Sequence, residues 1–75
     1  MSEYAVVLVY STGHAIQAER VLNGAGVDVK LVPTPRHLSS DCGSAVRIAA
    51  TARDAAEKLL AGSGVEIDRI VMLDI

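Results

Sequence analysis

The run Tyr4-Ala-Val-Val-Leu-Val-Tyr10 constrains the fold more than any other part of this sequence. Successive side chains of a strand point to opposite faces. Here Ala5, Val7 and Val9 fall on one side and Val6, Leu8 and Tyr10 on the other, so both faces are apolar. Such a strand belongs in the middle of a sheet. Ser11-Thr-Gly-His14 then breaks the run, and either Ser11 or Thr12 is of the type that caps a helix. Ala15, Ala18, Leu22 and Ala25 recur at helical spacing, with Gln17, Glu19 and Arg20 facing outward, and Gly24 and Gly26 end the helix.

Val27, Val29 and Leu31 alternate with Asp28 and Lys30, which predicts a half-buried edge strand stopped by Pro33 and Pro35. Residues 36–43 form the longest polar stretch and read as a loop. Residues 45–50 read as a third strand. Thr51-Ala-Arg-Asp54 has the form of a capping box ahead of Ala55, Ala56, Leu59 and Leu60, and Gly62-Ser-Gly64 closes this second helix. Residues 67–73 form the last strand. The order β-α-β-β-α-β over a single domain, residues 1–75, predicts an α+β, ferredoxin-like two-layer sandwich: a four-stranded antiparallel sheet with two helices on one face. In that topology the loop between strands two and three opens at the end of the sheet where the first helix begins.

Composition narrows the function classes. The net charge is -2, and the aromatic residues are two Tyr with no Trp or Phe. A nucleic-acid reader wants a basic face, and a single-strand reader wants stacking rings, so neither is expected. The sequence shows no basic region followed by a long apolar stretch and no apolar run near the roughly 20 residues of a membrane span. The single cysteine excludes an internal disulfide and suits a reducing cytosol, so a cytoplasmic location with no membrane partner is expected.

Cys42 is the sharpest chemical candidate. It sits among Ser39, Ser40, Asp41 and Gly43, with Arg36 and His37 just upstream. A thiolate is favoured near cations and helix N-termini. The topology supplies Ser11, Thr12 and His14 at such a terminus, while Asp41 opposes ionisation. Gly43 is read as a residue that lets the backbone turn sharply and leaves the sulfur accessible. Arg36 and Arg47 are candidates to hold an anion near the thiol. The plain alternatives are a cysteine buried as a small hydrophobe, surface histidines and solvated arginines. A metal site from Cys42, His14 and His37 is conceivable by ligand type, but no Cys-x-x-Cys or close His pair supports it, and no resident metal or cofactor is expected.

Three stretches together carry a resemblance: Pro33-Thr-Pro-Arg36, Ser39-Ser-Asp-Cys-Gly43 and Ala45-Val-Arg47. With the opening strand, the Ser-Thr-x-His turn, the Ala-x-x-Ala-Glu helix and the Val-Lys-Leu-Val-Pro strand, nearly the whole chain resembles the Putative selenium/sulfur carrier protein-like family. Gly13 and the alanine-rich stretch after Arg47 depart from the pattern. The resemblance implies that Cys42 carries sulfur or selenium as a covalent persulfide or perselenide. It also implies a donor such as a cysteine desulfurase-type enzyme, and an acceptor such as a selenophosphate-forming or thiolation enzyme. The chain is then a carrier rather than an enzyme with its own turnover.

The alternative is a small-ligand-binding or regulatory ferredoxin-like module in which Cys42 has no chalcogen chemistry. A homodimer is a further expectation: strands one and four are apolar on both faces, and helices cover one face only, so the other is expected as an exposed contact patch.

Overall fold

The strand that is apolar on both faces is indeed interior. In the computed structural model, which describes residues 2–35, 38 and 43–74 (the side chains of Ser2 and Asp74 excepted), β1 (Ser2–Leu8) is flanked by two antiparallel neighbours. These are β3 (Ser44–Ala49) on one side and β4 (Arg69–Asp74) on the other. β2 (Val29–Pro33) pairs antiparallel with the far side of β3, giving the order β2-β3-β1-β4. Helices α1 (Thr12–Gly24) and α2 (Arg53–Gly62) complete the ferredoxin-like α+β sandwich.

Both helices lie on one face. Ala15, Ala18 and Leu22 of α1 and Ala56 and Leu60 of α2 pack in one buried cluster with Ala5, Val7 and Val9, and with Val46 and Ile48 of β3. The many alanines at this contact let the helices approach the sheet closely. Each helix closes in the same way. Val27 N–H donates to Leu22 O at 2.9 Å, and Val65 N–H donates to Leu60 O at 3.0 Å. Gly26 and Gly64 stand at φ 84° and 72°, the left-handed conformation this closure requires. Val27 is thereby used in ending α1, which is why β2 begins at Val29, two residues later than the alternation suggested.

The capping box does not form. A 3-10 turn at Ala50–Ala52 takes Thr51 into its own backbone pattern, so α2 starts at Arg53 behind Ala52 with no side-chain cap. Asp54 is held by Arg53 at 3.1 Å instead.

The second face of the sheet is filled at its centre rather than bare. Val6, Leu8 and Ala45 are fully buried there, with Val32, Leu38, Val71 and Leu73 packed against them. Among the described residues, Leu38, from the stretch between β2 and β3, is the one contributor that does not come from a strand. Around that centre Val32, Val71 and Leu73 form a half-buried rim.

Candidate functional site

One end of the sheet gathers several turns of the chain. Leu8, the last residue of β1, stands opposite Ala45 of β3 and Arg69 of β4, and its carbonyl accepts the Asp68 N–H at 2.7 Å. The chain leaves β1 here and turns into α1. Ser11 is the cap, with extended backbone at φ −155° and ψ 163°. Its Oγ accepts the His14 backbone N–H at 3.2 Å, which satisfies one of the donors that a helix N-terminus leaves open.

The same Oγ lies 2.6 Å from His14 Nδ1. Either the hydroxyl donates to Nδ1 of a neutral ring, or Nδ1–H donates to the hydroxyl. In the first case the ring proton sits on Nε2, and His14 presents a hydrogen-bond donor beyond it. Tyr10, half exposed, meets the imidazole edge-on with centroids 6.4 Å apart and planes at 82°. Thr12 opens the helix and is exposed.

The β2–β3 connection departs from this same end. Pro33 pairs with Ser44, and Thr34 N–H donates to Gly43 O at 3.0 Å. The residues where the connection leaves and rejoins the sheet thus share the end at which α1 begins, as the topology predicted. Leu38 N–H donates to Pro35 O at 3.0 Å. Arg36, His37, Ser39, Ser40, Asp41 and Cys42 lie outside the described residues.

A Cβ added at Gly43, which is exposed, would meet nothing within 4 Å among the described residues.

Arg47 is not gathered with Ser11 and His14. It lies opposite Val6 and Lys30, and its guanidinium carbon is 4.4 Å from the centroid of the Tyr4 ring, toward the end of the sheet away from Gly43. Sequence reasoning missed Leu38 as a packing residue and Tyr4 as the partner of Arg47. A signal existed for the first, since Leu38 is the one aliphatic side chain in residues 36–41. Among the described residues, no cluster of three or more His, Cys, Asp or Glu is placed to hold a metal ion. No helix there is long and apolar enough to cross a membrane.

A family model described as Putative Se/S carrier protein-like matches residues 4–72. The chain belongs to that family. No curated protein and no solved structure matches it. The span recognised as Se/S carrier-like runs from within β1 to within β4, so it takes in the helix cap at Ser11, the Ser39-Ser-Asp-Cys-Gly43 stretch and Arg47 alike.

Proposed function

We propose that this Se/S carrier-like protein holds sulfur or selenium on Cys42 and passes it from a donor enzyme to an acceptor protein. The observation that carries the reading is membership of the family over residues 4–72. Two features support it. Cys42 is the only cysteine, so no second thiol in the chain can expel the cargo by closing a disulfide. The segment bearing it departs from and returns to the sheet end where α1 starts, and a helix N-terminus favours an anion by its partial positive charge.

The transfer balances without an external oxidant. The Cys42 thiolate attacks the outer sulfur of a donor persulfide. The donor's S–S bond breaks, its thiolate leaves, and a Cys42 persulfide forms. An acceptor nucleophile then attacks the outer atom, and the Cys42 thiolate leaves with the bonding electrons. In this reading Ser11, Thr12 and His14, with Arg36, stabilise the thiolate in both steps. Ser39, Ser40 and Asp41 shape the segment, and Gly43 gives an approaching protein room beside the sulfur. A cysteine desulfurase-type donor and a selenophosphate-forming or thiolation enzyme as acceptor fit this chemistry.

The test is the rate of alkylation of Cys42 as a function of pH. A carrier thiol titrates below the ordinary value of about 8.5. A thiol titrating at or above that value removes the electrostatic basis of the proposal and favours a binding module with an incidental cysteine.

A further inference from the structure

We infer that the second face of the sheet carries a binding site for a small tetrahedral dianion, held between Lys30 and Arg47 at the end of the sheet remote from Gly43. The two residues are direct cross-strand partners in the β2–β3 pair. Directly opposed side chains share a face about 5 Å apart at Cβ, and like charges in that arrangement are destabilising. Among the described residues no carboxylate stands at ion-pair distance from either. The ion pairs of the described residues are Arg53 with Asp54 and Glu57, and Arg69 with Asp68; none reaches Lys30 or Arg47.

Tyr4 orders the site. The Arg47 guanidinium carbon lies over its ring at 4.4 Å from the centroid, a cation–π contact that anchors the group. A guanidinium carries its N–H donors in a planar fork that can receive two oxygens of an oxyanion at once. A cavity of about 210 Å³ opens where these groups meet, lined by Tyr4, Lys30, Arg47 and Asp28 among others. This is smaller than the roughly 300–1,000 Å³ of drug-sized ligand pockets, so the occupant is an ion or the end of a small molecule. Asp28 is exposed at the rim and is the one acid of the lining, leaving one net positive charge in an otherwise acidic protein. Two cations, one of them forked, suit a doubly charged oxyanion such as inorganic phosphate, or the phosphate end of a phosphomonoester.

The site is separate from Cys42 chemistry, and its test is separate too. Inorganic phosphate is titrated into the protein at constant ionic strength, with chloride as the balancing ion, and amide chemical shifts are followed. Saturable shifts centred on residues 4, 28–30, 47 and 49 are expected, and they persist unchanged in Cys42→Ser. Arg47→Gln should weaken binding at least about tenfold, the scale of a charge-assisted hydrogen bond. Asp28→Asn should tighten it severalfold by removing the opposing charge. Lys30 is exposed, so Lys30→Gln serves if Arg47→Gln does not fold, and it too should weaken binding. A parallel titration with glycerol phosphate separates the sources: tighter binding than phosphate assigns the site to a phosphomonoester, weaker binding to the free ion. Shifts that grow linearly without saturation, or an affinity unchanged in Lys30→Gln, overturn the inference.

Discussion

Replacing Leu38 by alanine separates two pictures of the second sheet face. If that face were bare, Leu38 would be a loop residue of no consequence. In the structure it packs against Val6, Leu8 and Ala45, each fully buried, and is itself half-buried. Leu→Ala removes three carbons. At about 0.8 kcal/mol per buried methylene the transfer loss approaches 2.4 kcal/mol for a fully buried side chain. Partial exposure brings this to about 1.5 kcal/mol, and the strand residues below it are opened to water as well. A domain this small has a stability of only about 5–15 kcal/mol, so the loss is readily measured. At roughly 4–8 °C per kcal/mol for a chain of this length, the melting temperature should fall by about 6–12 °C. Urea unfolding of the two proteins, read by far-UV circular dichroism, should show a lower midpoint with an unchanged slope. A loss below about 0.3 kcal/mol would refute the packing, because surface substitutions away from specific contacts fall in that range.

Three further outcomes follow from named contacts. Ser11→Ala should cost about 1 kcal/mol, the usual worth of a helix cap, and should alter the His14 imidazole nitrogen chemical shifts, since Oγ serves both the His14 N–H and Nδ1. Thr51→Ala should change stability by less than about 0.5 kcal/mol, because Thr51 sits in the 3-10 turn and caps nothing; a loss near 1 kcal/mol would restore the capping box. Self-association through the rim at Val32, Val71 and Leu73 should be weak, dissociating at about 100 μM or higher in sedimentation equilibrium. A nanomolar dimer would mean that the whole face is available, against the packing of Leu38.

The elements were legible where one physical signal dominated. The doubly apolar run of β1 announced an interior strand, the glycines at 26 and 64 announced both helix ends, and the alternation Val29–Lys30–Leu31 announced an edge strand. Boundaries were lost where two signals competed for the same residue. Val27 fits a strand alternation, yet its backbone N–H closes α1. Thr51 fits a cap, yet the alanines around it allow a 3-10 turn. In the candidate site, topology placed the start of α1 and the ends of the β2–β3 connection together, because strand direction alone decides that. The orientation of Arg47 toward Tyr4 was not legible. It depends on cross-strand register, and a shift of one residue in either strand would reverse it.

The most direct measurement of the central claim is intact-protein mass spectrometry of the chain isolated without reductant and then exposed to a persulfide or perselenide donor. The account predicts a species heavier by one sulfur or selenium atom. The adduct should localise to the peptide containing Cys42, be lost on treatment with a thiol reductant, and be absent from Cys42→Ser, which should keep the wild-type fold. Equal labelling of Cys42→Ser and wild type, or no adduct on a fully accessible thiol, would contradict the carrier function.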